Sequence, residues 1–265
     1  MNILDEIFAH KRIEVEAHKE EIPLAELRSI SESAPPSPDF IQAIRSTEYS
    51  PALIAEVKFA SPSRGILVEN PDPVSLAHTY AGNGAAAISV LTDEKYFHGH
   101  LDYLRQIHIA LPQLPLLRKD FICDPYQVYE ARASVASAVL LIAAHLEPAQ
   151  LADLHALVLY LGMVALVEVH NRTELEAALR LDGLSLLGVN NRDLHTFKVD
   201  LQTCLDLRPL VPSEICFIAE SGIHTAEDVH RLSAAGVDAV LVGEALVTAP
   251  DIGEKIRTFL MNRKA

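Results

Sequence analysis

The sequence predicts an α/β fold, a (β/α)8 TIM barrel with an N-terminal helical extension. Eight short apolar runs recur from Pro51 onward, and helical patterns lie between them. The chain of 265 residues is long for an ordinary domain but normal for a barrel built as one unit. Residues 1–265 therefore read as one barrel domain, with residues 1–50 an extension packed on it.

The extension comes first. Ile3, Leu4, Ile7 and Phe8 recur at helical spacing, with Ile13 further on, so an amphipathic helix opens the chain. SESAPPSPDF breaks this region, and a second short helix around Phe40 to Arg45 leads into the main domain. The strand candidates are ALIAEV (52–57), AAAISVL (85–91), PLLRK (115–119), AVLLIA (138–143), MVALVEV (163–169), LSLLGV (184–189), ICFIAE (215–220) and VDAVLVG (237–243). None alternates with polar residues, as expected of parallel strands covered on both faces. Between them stand patterns such as DPVSLAHTYAGNG, PYQVYEARASV, EPAQLADLHALVLYLG, NRTELEAALRL and TAEDVHRLSAAG. Several open on a capping residue or Pro and close on Gly. A spacing of roughly 20–35 residues is the pitch of repeated β-α units, and right-handed crossovers close them into a barrel. A doubly wound open sheet is the competing arrangement. It wants a G-x-G-x-x-G turn after the first strand, and IAEVKFASPSRG has none.

Composition narrows the function. Lys and Arg number 22 against 36 Asp and Glu, a net charge of −14, with no Trp and 6% aromatics. That balance argues against a nucleic-acid partner. Cys123, Cys204 and Cys216 are scattered without a C-x-x-C, which suits a reducing compartment and excludes a disulfide framework or zinc site. The 12 His residues form no H-E-x-x-H, and His10 and His18 read as surface groups on a charged helix. The Glu-rich N-terminus is no targeting peptide, and no apolar stretch reaches the ~18 residues of a membrane span. The expected location is the cytoplasm, with no metal and no obligate protein partner evident.

Barrel active sites lie just past the strand C-termini. Those positions hold Glu56 and Lys58, then Lys119, Glu168, Asn190 and Arg192, then Glu220 with Ser221-Gly222, and Gly243-Glu244. Charges ending apolar strands are costly to bury unless paired, and packing alone does not account for so many in one place. Glycines after strands seven and eight suit a phosphate held on backbone N–H groups. Ser61 and Ser63 either add a hydroxyl to that anion or only cap a turn.

These residues carry a resemblance. IAEVKFASPSRG resembles the strand-one signature of the indole-3-glycerol phosphate synthase family of tryptophan biosynthesis. LLRKDF resembles its strand-three signature, and VEVHN, GVNNRDL, IAESGI and LVGEAL its later ones. ILDEIFAHKRIEVE and SVLTDEKYFHG also match, so nearly the whole chain is covered in order. Phe59 departs from the pattern, which more often has a basic residue there, and so puts the charge of the first loop in question.

The resemblance implies a barrel with helices over its active-site face. It also implies ring closure of 1-(2-carboxyphenylamino)-1-deoxyribulose 5-phosphate, an anionic phosphate substrate, with loss of CO2 and water and no cofactor. By the family's pattern Lys119 is the general acid and Glu168 the base. Lys58 binds the anthranilate carboxylate or shares the acid work, held by Glu56. Asn190 orients Glu168, and Arg192 stabilises negative charge. Phe97, Phe121 and Leu140 pack the aromatic ring or belong to the barrel core. The phosphate is expected on the backbone of Gly222, Gly243 and Glu244, with the Glu244 carboxylate turned away. A lysine acid is expected to lie among other cations that lower its pKa. The chain ends soon after strand eight and its helix, so no fused second enzyme of the pathway is expected. Two other readings are open. Another phosphate-binding barrel enzyme of amino-acid biosynthesis would not need Lys58, Lys119 and Glu168 together, and a ligand-binding barrel that has lost turnover would not need an intact acid and base.

Overall fold

The computed structural model describes residues 3–193 and 198–261. Its strands are β1 (Ala52–Val57), β2 (Ala87–Leu91), β3 (Leu116–Lys119), β4 (Ala138–Ile142), β5 (Val164–Val169), β6 (Leu186–Asn190), β7 (Cys216–Glu220) and β8 (Ala239–Val242). They form a closed parallel barrel in sequence order, β8 joining β1 with Ala52 opposite Ala239. Each strand falls within a residue or two of its predicted run. A two-stranded ribbon, Ala60–Ser61 against Gly65–Ile66, follows β1.

The pleat explains both the missing alternation and the position of the charges. Leu53, Ala55 and Val57 pack outward into the helix layer, while Ala52 and Ile54 pack in the barrel interior. Both faces are apolar, so the period of two is invisible in hydropathy. Continuing the inward register by two brings Ile54 to Glu56, Leu117 to Lys119, Leu166 to Glu168 and Ile218 to Glu220. The same step carries Leu140 to Ile142 and Leu241 to Gly243. Charge therefore collects in the uppermost inward layer, above an apolar floor.

The extension is three helices, α1 (Ile3–Glu21), α2 (Leu24–Ser33) and α3 (Phe40–Ser46). Pro23 separates α1 from α2, a break that the apolar spacing does not register. The buried face of α1 is Leu4, Ile7, Phe8, Lys11 and Val15. Ile13 is not on it. That side chain is 68% exposed, because it stands two residues past Lys11 on the wrong face.

Lys11, instead, is fully buried. Its Nζ lies 3.0 Å from Asp120 Oδ1, 3.1 Å from Asp93 Oδ2 and 2.7 Å from Glu14 Oε1. Arg118 continues the network, 3.1 Å from Asp120 and 3.0 Å from Glu130. His18 Nδ1 lies 2.8 Å from Glu130, so His18 is a half-buried partner in this network and not the free surface group that its charged helix suggests. Burial would push the Asp120 carboxyl up, but Lys11 and Arg118 hold it well below the usual range. Apolar contacts run alongside: Phe8 meets Phe121 edge-on and stacks on His145.

Removing one member of a buried charge network strands the others. Lys11→Met keeps the length of the side chain but leaves Asp93 without its cation and Asp120 with Arg118 alone. It is expected to cost about 3–5 kcal/mol in urea unfolding. A loss under about 1 kcal/mol would show that α1 docks by its apolar face alone.

Candidate active site

Every candidate residue of the sequence reading lines one cavity at the C-terminal mouth of the barrel. Glu56, Lys58, Ser61, Lys119, Glu168, Asn190, Arg192 and Glu220 surround it. Phe97, Phe121 and Leu140 form an apolar wall, and Ser221, Gly222, Gly243 and Glu244 close the far end. Ile3, Leu4 and Ile7 of α1 also line it, so the extension helps form the site.

Lys119 sits at the centre. Its Nζ lies 3.2 Å from Glu168 Oε2 and 3.1 Å from Glu220 Oε2. This corrects the expectation of a lysine among cations. Burial would lower its pKa, but Glu168, Glu220 and Glu56 override that and raise it well above the lysine range. The group is an ammonium ion held by carboxylates.

The two carboxylates differ. Burial pushes Glu168 up, but Lys119, His170 and a hydrogen bond donated by Asn190 Nδ2 at 3.3 Å hold it well below the usual range. Burial also pushes Glu220 up; the neighbouring Glu168 adds to this, and Lys119 only partly opposes it, so its pKa is raised. Among the described residues neither Glu220 oxygen has an aligned hydrogen-bond donor. Neighbouring acids with pKa values pushed apart are the arrangement that proton-transfer sites use.

Lys58 Nζ lies 3.3 Å from Glu56 Oε2 and stands 5.4 Å over the Phe97 ring, which itself packs 5.8 Å from Phe121. A cation beside apolar walls fits an aromatic ring bearing a carboxylate. Two glycines make room for the acids: a Cβ on Gly188 would collide with the Glu220 carboxylate, and one on Gly243 with that of Glu56.

At the far end Ser221 and Gly222 are both left-handed, with φ of 64° and 78°. For Ser221 that conformation is strained, which is typical of residues fixed for function. Gly243 caps the short helix Glu244–Val247. The Glu244 carboxylate lies 3.5 Å from Arg64 in the loop after β1. Ser61 is buried in the ribbon, while Ser63 is exposed with its hydroxyl 3.5 Å away. Phe59 packs edge-on against Tyr103 in the core outside the barrel, so the family departure faces the helix layer. Arg192 lines the cavity, and its backbone N–H donates to Asn190 Oδ1 at 3.0 Å. Leu194, the last residue of GVNNRDL, lies outside the described residues.

Two residues were not singled out by the sequence reading. Asp120 follows Lys119 in LLRKDF and ties the cavity to Lys11. His170 stands two positions past Glu168 in VEVHN, on the same side of the strand.

The family model for indole-3-glycerol phosphate synthase matches residues 4–259. The chain belongs to the indole-3-glycerol phosphate synthase family. An indole-3-glycerol phosphate synthase of Roseiflexus castenholzii is 56% identical over 262 residues, covering 96% of this chain and 97% of that protein. One from Dehalococcoides mccartyi is 50% identical over 260 residues, covering 97% of this chain and 100% of the relative. Among solved structures, 3-hexulose-6-phosphate synthase from Salmonella typhimurium superposes with a TM-score of 0.64 at 14% identity, covering 78% of this chain and 96% of that one. At that identity the likeness speaks for the barrel fold alone. As a family member, the chain is a carbon-carbon lyase of tryptophan biosynthesis.

The raised pKa of Glu220 has a measurable consequence. The folded protein holds that proton more tightly than the unfolded chain does. The resulting stability is fully present below the unfolded value, about 4.3, and is lost as pH rises through the raised one. Glu220→Gln is therefore expected to be more stable than the parent at about pH 8, with the gain vanishing toward about pH 4. Equal stability in urea at the higher pH would show that Lys119 fully offsets the burial of the carboxylate.

Proposed function

We propose that the chain closes the indole ring of 1-(2-carboxyphenylamino)-1-deoxyribulose 5-phosphate and that Lys119 and Glu168 divide the proton transfers. The observation that carries this division is the ammonium of Lys119 held between Glu168 and Glu220 beside an apolar wall. As the ring carbon bonds to the carbonyl carbon, the carbonyl electrons move to oxygen, and that oxygen takes a proton from Lys119. A growing alkoxide is basic enough to draw it from an ammonium of raised pKa, and the buried cation stabilises the charge as it forms. The bond to CO2 then breaks, its electrons returning to the ring through the iminium that closure created. Loss of the hydroxyl as water from the former carbonyl carbon, with a proton of the adjacent nitrogen-bound methylene passing to Glu168, forms the last double bond of the indole.

Sequence and electrostatics are coupled in this scheme. Glu168 is a poor base while Lys119 is charged. Once Lys119 has given up its proton, the opposing cation is gone and the proton affinity of Glu168 rises. The acid step thus prepares the base for the step that follows.

Lys58, steadied by Glu56, binds the anthranilate carboxylate or shares the acid work. Arg192 stabilises negative charge, and Phe97, Phe121 and Leu140 hold the ring. Ser61 and the backbone at Ser221, Gly222, Gly243 and Glu244 take the phosphate, with Glu244 drawn toward Arg64. Residues 1–50 act as part of the one barrel unit, because α1 supplies Ile3, Leu4 and Ile7 to the cavity. Cys123, Cys204 and Cys216 form no disulfide among the described residues, which fits the cytoplasm as the location.

Rapid-quench kinetics test the division. Lys119→Ala is expected to lower kcat by roughly 10²–10⁴ with little change in binding, and to stop before ring closure. Glu168→Gln is expected to accumulate a ring-closed species that has not lost water. The opposite pattern would reverse the two roles.

A further inference from the structure

His170 stands where β5 gives way to the helix Arg172–Ala178, with its side chain largely buried. One ring nitrogen, Nδ1, lies 3.1 Å from Glu174 Oε2. The other, Nε2, lies 3.3 Å from Glu168 Oε1, at ion-pair distance without the alignment of a hydrogen bond. Glu174 is itself fixed: it accepts from the His170 backbone N–H at 2.8 Å and from Asn171 Nδ2 at 2.6 Å. A ring with a carboxylate at each nitrogen is suited to carry both protons. Burial would lower the pKa of His170, but Glu168 and Glu174 raise it to about 10. At neutral pH it is therefore a second cation beside Glu168.

We propose that His170, held by Glu174, is a positioning residue that fixes Glu168 and keeps it ionised while Lys119 gives up its proton. The groups facing Glu168 are Lys119 on β3, Asn190 on β6, Glu220 on β7 and His170 just past the end of its own strand, with Glu56 on β1 acting through Lys119. Lys119 contacts one oxygen of Glu168 and His170 faces the other. Loss of the Lys119 proton removes one cation and leaves the second, so Glu168 becomes more basic without taking up a solvent proton before the substrate delivers one. The inference rests on Glu168 acting as the base.

Coupling between two titrating groups is reciprocal, so it can be read from the histidine. Side-chain ¹⁵N spectra of the full-length protein are expected to show His170 as imidazolium through neutral pH, titrating near pH 10. In Glu168→Gln and in Glu174→Gln its midpoint is expected to fall by about one pH unit or more. A midpoint unmoved in Glu168→Gln overturns the proposal. In His170→Gln, shown to be folded by circular dichroism, the acid limb of kcat/KM is expected to move up by about one pH unit while KM on the plateau stays unchanged. His170→Asn serves as the second variant, and acid limbs that match the parent in both variants would also overturn it if Glu168→Gln stalls after ring closure as expected. If Glu168→Gln instead stops before ring closure while the His170 midpoint shifts, the ion pair stands and the assignment of Glu168 as base fails.

Discussion

One ammonium ion shared between two buried carboxylates sets the terms for the rest of the molecule. Lys119 cannot be placed at the top of a barrel without an ionised partner, which Glu168 supplies, because an unpaired cation buried there would shed its proton or unfold the site. The two acids in turn need space, and the absence of a side chain at Gly188 gives Glu220 its position. Gly243 does the same for Glu56. Barrel closure brings these groups together from strands far apart in sequence, and the pleat raises each of them to the same layer.

The same pleat lets three consecutive residues serve two purposes. Lys119 points into the cavity, while Arg118 and Asp120 on either side join the buried network that reaches Lys11 and, through Glu130, His18. The strand that carries the central cation therefore also anchors α1, whose Ile3, Leu4 and Ile7 complete the cavity. Mechanical support and chemistry meet at one strand end. A change that loosened the docking of α1 would reach the site through two neighbouring residues.

Much of this was legible in the sequence. The strands were, because short runs that are apolar on both faces and end in polar residues suit buried parallel strands and little else. So were the residues at those ends. The pairing was not. That Lys119 meets Glu168 and Glu220 depends on closure across the barrel, which no local pattern records. No pattern in the sequence marks Lys11 for burial, and Ile13 looked like part of the stripe. Helical phase decides between them only once the docked face is known. His170 stood in a quoted motif, but its importance lies in two carboxylates, one of them a helix turn away. Phe59 shows the converse: a departure from the family pattern that suggested altered charge in the loop turns out to face the helix layer.

The central claim is that Lys119 remains an ammonium ion because of its carboxylate neighbours, and the most direct measurement is its own titration. With ¹³Cε-labelled lysine, assigned by loss of the signal in Lys119→Met, the resonance of the substrate-free protein can be followed with pH. The account predicts no change until well above the ordinary lysine value of about 10.4. A midpoint in the neutral range, as for a lysine pre-lowered for acid catalysis, would contradict it.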